Sequence, residues 1–263
     1  MTGRVPFVVS ILAFGYAFLY LPIALVILYS FNDSRLVTVW AGFSLRWWRA
    51  LFENEAMLDA AWLSLRIGLA SATLATLLGL AAGYVLARVP RFPGRTLFAG
   101  LVIAPMVMPE VVMGISMLLL FVGSDRLFGG PERGFLTITA AHVTFSLTFV
   151  AVVVQARLAD FDRSLEEAAM DLGATPWTTF LTVTLPLIAP ALASGWLLAF
   201  TLSLDDLILT QFVSGAQSQT LPMRVYSSVR LGVDPQINVL ATIIVAIAAS
   251  ALVLSGWLTR RRN

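Results

Sequence analysis

Five stretches of this chain contain no Asp, Glu, Lys or Arg: residues 5–32, 67–87, 134–156, 172–204 and 235–259. A helix rises about 1.5 Å per residue, so each stretch is long enough to cross about 30 Å of hydrocarbon. Residues 96–109 and 111–124 are interrupted only by Glu110 and together make one more crossing. The expected fold is therefore all-α, a polytopic membrane protein with six transmembrane helices in a single domain, 1–263. The spans are expected at about 8–30, 62–87, 97–122, 134–157, 182–211 and 236–258, with a connecting loop over 158–181. Arg4 followed by a long apolar run without a small-x-small cleavage site reads as a retained first span rather than a removed signal peptide.

Composition removes several function classes. The chain is 59% apolar and 12% charged, too few charges for a soluble domain of 263 residues. A formal charge of +2, with no basic stripe interleaved with aromatics, argues against nucleic acid. The absence of Cys excludes disulfides, thiolate chemistry and Cys-ligated metals, and one His gives no multi-histidine metal site. All 17 basic residues are Arg, and their placement predicts orientation. With Arg4, Arg88, Arg91, Arg95, Arg157, Arg163 and the Arg260–Arg262 triplet inside, both termini are expected in the cytoplasm.

The segment from Ser164 to Pro186 is the least membrane-like part of the chain. Ser164 and Glu167 have capping-box spacing, and Gly173 suits the left-handed residue that ends a helix. Thr175 and Pro176 then read as the N-cap and first residue of a second helix. Leu165, Ala168, Ala169 and Leu172 can share one side of the first helix. A helix lying on lipid usually carries basic residues, whereas this one has Glu166, Glu167 and Asp171 around a small-residue centre. A cytosolic protein partner explains it better.

Other polar residues fall within the spans. Gly79 and Gly83 have small-xxx-small spacing, which permits close helix contact. Ala104-Pro-Met-Val-Met-Pro-Glu110 places two prolines four residues apart, so a broken backbone is expected there, surrounded by protein or a water-filled cavity. Glu110 either neutralises, snorkels to the interface or lines a path. Met106, Met108, Met113 and Met117 are expected to pack as apolar residues or to form an adaptable lining. His142 and Ser146 share a helix face. Asp205 and Asp206 are adjacent, so their side chains differ by about 100° and cannot face the same way. One is expected to face an aqueous path and the other a helix or the membrane boundary. Trp40, Trp47 and Trp48 suit the headgroup level, with residues 43–52 as a short interfacial helix. Residues 212–222 read as a turn-rich outer or partly re-entrant loop.

Glu167-Ala168-Ala169, Gly173 and Leu185-Pro186 resemble the EAA-loop motif of importer-type ABC transporter permeases, and the resemblance covers essentially the whole chain. Ala104–Gly114, Ser203–Asp206 and Thr220–Gly232 resemble the polyamine permeases of spermidine and putrescine uptake systems. Importers of opines, amino-acid-like cations and other small solutes share parts of these stretches. The resemblance implies the type I ABC importer permease fold in a bacterial inner membrane. It also implies a second homologous permease, two ABC ATPase subunits and a periplasmic or lipid-anchored solute-binding protein as partners. Glu167, Ala168, Ala169, Asp171 and Gly173 are then the coupling helix in the ATPase groove. No cofactor is expected on this chain, which lacks a phosphate-binding G-x-x-x-x-G-K-[ST] loop; ATP and Mg belong to the ATPase. Glu110, Asp205, Asp206 and Trp40 are the expected substrate-path residues, because carboxylates must replace the water around ammonium groups. An ion-coupled carrier or channel also uses intramembrane carboxylates but has no need of a capped acidic docking hairpin. A membrane enzyme finds no support in any nucleophile or metal-ligand arrangement.

Overall fold

The computed structural model describes residues 4–36, 39–232 and 234–260, and their secondary structure is helical apart from an isolated antiparallel bridge between Asn32 and Phe43. Of the residues used for orientation, Arg261 and Arg262 lie outside the described residues, as do the side chains of Arg4 and Arg260. Among the described residues, five helices are long and apolar enough to cross a bilayer: residues Phe7–Tyr29 of α1 (Arg4–Tyr29), α3 (Glu55–Arg88), α5 (Glu110–Phe128), α6 (Phe135–Ala159) and α8 (Pro176–Asp205); of the span expected at 236–258, Gln236–Ser250 forms a shorter apolar helix. Between them lie α2 (Arg46–Glu53), α4 (Arg95–Val107) and α7 (Ser164–Asp171); α9 (Ile208–Val213), α10 (Leu221–Leu231) and α11 (Gln236–Arg260) complete the chain.

The chain divides into two compact units, one of Met1–Asp59 with Val225–Asn263 and one of Ala60–Arg224. In the first, Asn32 organises the segment after α1. Its buried side chain donates to the Val39 carbonyl at 2.7 Å and accepts the Ala41 amide at 2.9 Å. Phe31 stacks on Phe43 and on Trp48, with ring centres 5.5 and 5.4 Å away. The short helix expected over 43–52 forms as α2, but it buries Trp47 and Leu51. Only Trp40 of the three tryptophans is largely exposed, its ring edge against Tyr29.

The second unit is built around α6, whose buried residues run from Thr137 to Leu158. Two glycine-lined helices let α6 sink in. A Cβ at Gly79 would stand 2.6 Å from the Val150 Cβ, and one at Gly83 would stand 2.6 Å from the Ala151 carbonyl oxygen. Gly195 of α8 approaches Val150 from another helix. Val150, Val154, Leu158, Ala72, Ala75, Ile188 and Ala199 form the core between these helices. The Gly79/Gly83 spacing is thus an α3–α6 contact.

Three breaks interrupt the apolar helices. The crossing expected at 97–122 begins at Arg95, stops at Val107, and resumes at Glu110 after an extended Met108-Pro109. The crossing expected at 182–211 already begins at Pro176 and ends at Asp205. Its early part contains a π-helical turn, Phe180–Thr184, where the Leu185 amide reaches back to the Phe180 carbonyl. That widened turn lies just before Pro186, whose ring would crowd the carbonyl four residues back in a regular helix. The third break, at Asp206–Leu207, separates α8 from α9. The loop expected over 212–222 is helical at both ends, in α9 up to Val213 and from Leu221 in α10, which continues to Leu231; Pro222 sits in the first turn of α10, where no amide is needed.

Replacing Gly83 by Leu should lower stability by about 1–3 kcal/mol, the usual cost of forcing side-chain volume into a packed contact. Thermal unfolding of the purified protein in detergent measures this. Gly100→Ala is the control, because a Cβ there meets nothing within 4 Å.

Candidate functional site

The hairpin between α6 and α8 is closed by local chemistry at each turn. The Asp162 carboxylate accepts the Ser164 amide at 3.0 Å. The Ser164 amide and hydroxyl hold the Asp162 carboxyl below the usual carboxylate range. The Ser164–Glu167 capping box is therefore corrected: Ser164 is the first helical residue, and the cap comes from two residues earlier. At the other end Gly173 takes φ +90. Its amide donates to Met170 at 2.9 Å, and the Ala174 amide reaches Ala169 at 3.1 Å, which is a Schellman closure. Thr175 then caps the next helix by accepting the Thr178 amide at 3.2 Å, with Pro176 first in line.

No residue of α7 is buried. Glu167, Ala168, Asp171, Leu172 and Gly173 are exposed, Leu172 to 91%, and Ala169 is half-buried. Glu166, one position before Glu167, turns inward. One of its oxygens lies 3.0 Å from the Arg88 Nε at the end of α3, and the other accepts the Thr184 hydroxyl at 2.7 Å. The sequence reading missed Glu166 as a contact residue. Its signal was only the 100° step between neighbouring glutamates, which does not say which one faces the bundle.

Away from the hairpin, a buried polar chain closes the α8–α9 break. The Asp206 carboxylate accepts the Leu209 amide at 3.3 Å and the Thr210 amide at 2.8 Å. The Thr210 hydroxyl also donates to it. His142 Nε2 lies 3.2 Å from Asp206 and 2.9 Å from the Thr210 hydroxyl, while Nδ1 lies 2.6 Å from the Ser203 hydroxyl. A proton on Nε2 satisfies this set, because Nε2–H donates toward Asp206 and Nδ1 accepts from Ser203. Ser203 in turn meets the Ser71 hydroxyl of α3 at 3.0 Å. The chain thus links α3, α6, α8 and α9. His142 partners Ser203 rather than Ser146.

The two adjacent aspartates separate as their spacing requires. Asp206 is drawn into this chain; Asp205 is exposed and takes no part in it. Glu110 is exposed at the first turn of α5, where the positive end of the helix dipole favours a carboxylate. Next to that break, Leu101, Pro105, Met108, Met113 and Met117 line an apolar cleft of about 240 Å³. Of the four methionines considered, Met113 is buried and Met106 is half exposed. Among the described residues, no group of three His, Cys, Asp or Glu is placed to hold a metal.

Residues 75–262 match the family described as binding-protein-dependent transport system inner membrane component. The chain is 52% identical to the putrescine transport system permease protein PotI of Escherichia coli (strain K12), over 98% of this chain and 92% of that protein. It is 42% identical to the spermidine/putrescine transport system permease protein PotC of Haemophilus influenzae, over 94% of each. Among solved structures, a bacterial ABC transporter that imports the acidic polysaccharide alginate superposes with a TM-score of 0.71 at 16% identity. That match covers 98% of this chain and 96% of that one. The MetNI methionine ABC transporter in an inward-facing form gives 0.60 at 17% identity, covering 78% and 94%. The fold is that of ABC importer permeases.

His142→Ala would leave the Ser203 hydroxyl without its acceptor and one side of Asp206 without a donor. Thermal unfolding in detergent should show a loss of about 1–3 kcal/mol, the cost of stranding buried polar groups. Asp205→Asn should leave the same measurement unchanged within about 0.5 kcal/mol, as exposed substitutions do.

Proposed function

Because this chain belongs to the binding-protein-dependent transport system inner membrane components, we propose that it is the permease subunit of an ATP-driven importer of putrescine or spermidine. It sits in a bacterial inner membrane with both termini in the cytoplasm. It pairs with a second homologous permease, two ABC ATPase subunits and a periplasmic or lipid-anchored solute-binding protein. ATP and Mg act on the ATPases, and this chain binds no cofactor. The observation that carries this reading is the closed hairpin with an outward face of Glu167, Ala168, Asp171 and Gly173. Its helix α7 is an acidic, small-residue knob with no buried residue, closed by Gly173 in the left-handed conformation. The polyamine assignment rests on the names of the two relatives.

ATP binding draws the two ATPases together, the hairpins follow, and the spans open a path between the two permeases. A diamine entering that path loses water from its ammonium groups, and carboxylates replace it. Asp205 and Glu110, both exposed on this chain, are the proposed replacements. Asp206 supports the path from behind by holding the α8–α9 break, and Trp40 is proposed as a contact at the outer mouth.

Two measurements test the reading. Equilibrium binding of the cognate binding protein to putrescine, spermidine, amino acids and opines should favour a polyamine. Binding of an opine or amino acid with no polyamine affinity contradicts the substrate. In the reconstituted complex, Gly173→Trp should abolish solute-stimulated ATP hydrolysis while the binding protein still binds solute. Asp205→Ala should lower uptake about tenfold, a barrier change of about 1.4 kcal/mol. Normal uptake by an intact Asp205→Ala complex removes Asp205 from the path.

A further inference from the structure

Helix α7 has no buried side chain, so an apolar core does not hold it to the bundle. The Glu166 carboxylate supplies the polar link between them. It binds the Arg88 guanidinium at 3.0 Å and the Thr184 hydroxyl at 2.7 Å, and both ionic side chains are only 10–12% exposed. Arg88 extends the link. Its Nη1 donates to the Leu158 carbonyl near the end of α6 at 3.2 Å, and its guanidinium lies over the Phe161 ring, 5.4 Å from the centre. Arg163 adds a second tie, donating to the Ala87 carbonyl at 3.1 Å. One carboxylate on the hairpin therefore holds the ends of α3 and α6 and the π-helical turn at the start of α8.

The position of Thr184 gives this link a mechanical meaning. Thr184 closes the π-helical turn, the irregular part of α8 next to the hairpin. A force on α7 could be absorbed by bending there, without moving the rest of α8. Binding Thr184 to Glu166 bridges the turn from outside. Binding Arg88 to the same carboxylate makes α3 and α6 follow the hairpin directly.

We propose that Glu166 is the positioning residue that makes the hairpin move as one body with α3, α6 and α8, so that its link to Arg88 and Thr184 transmits ATPase motion into the membrane spans. Glu167 and its outward neighbours meet the partner; Glu166 carries the motion inward. The proposal rests on the importer reading above and assigns to Glu166 a role distinct from partner contact.

The test uses the full transporter in lipid nanodiscs with its binding protein and putrescine. Glu166→Gln removes the charge but keeps the size. It should lower solute-stimulated ATP hydrolysis about tenfold, within the usual range for coupling between sites. ATP hydrolysis without the binding protein, and co-purification of the ATPase, should stay at the wild-type level. The charge-exchanged pair Arg88→Glu with Glu166→Arg should recover part of the stimulation, which a loss of folding alone would not allow. Wild-type stimulation in an assembled Glu166→Gln complex overturns the proposal. If Glu166 variants fail to assemble, Thr184→Val decides: it removes one hydrogen bond and no charge. Reduced stimulation with normal assembly supports the link, and unchanged stimulation overturns it. Failure of the importer reading looks different, because the wild-type complex itself would then show no solute-stimulated hydrolysis.

Discussion

The Asp206 carboxylate answers a demand that hydrocarbon places on any interrupted helix. Where α8 stops at Asp205 and α9 starts at Ile208, amides lose their helical acceptors and need others. Asp206 accepts two of those amides, and His142 and Thr210 bind the same carboxylate. His142 then reaches Ser203, and Ser203 reaches Ser71. A local break thereby becomes a cross-link between α3, α6, α8 and α9. The apolar packing is compatible with it because Gly79, Gly83 and Gly195 let α6 approach its neighbours closely. Polar closure and small-residue packing are coupled: hydrogen bonds of this length need helices that come close.

The hairpin solves a different problem. In the proposed role it must present a surface and also stay attached. Adjacent glutamates divide these tasks, since about 100° separates them on a helix. Glu167 is exposed, while Glu166 is nearly covered and bound to Arg88 and Thr184. The Schellman closure at Gly173 and the Thr175 cap close the turn between α7 and α8, although α7 has no buried core of its own.

Patterns that depend on local chemistry were legible in the sequence. Among the described residues, four of the charge-free runs fall in helices long and apolar enough to span a bilayer, Gly173 and Thr175-Pro176 marked the hairpin turn, and Gly79/Gly83 marked a close helix contact. The paired prolines marked the α4–α5 break. What needed the structure was the choice among equivalent partners. Asp162 and Ser164 are both good capping residues two positions apart, and only the fold shows that Asp162 wins. The partners of His142 lie 61 to 68 residues away, so periodicity could not find them. The spacing of Asp205 and Asp206 required that they diverge, but the direction depended on where His142 stood. The start of α10 was hidden by the turn residues just before it and by Pro222, which a first turn accommodates.

An ATP-driven permease and an ion-coupled carrier differ most directly in what powers transport. The decisive measurement is uptake of labelled putrescine into proteoliposomes of defined composition. Vesicles with the whole complex, binding protein outside and ATP inside should accumulate the diamine without any ion gradient. Vesicles with this chain alone should accumulate none, whatever gradient is imposed. Gradient-driven uptake by the chain alone would contradict the account.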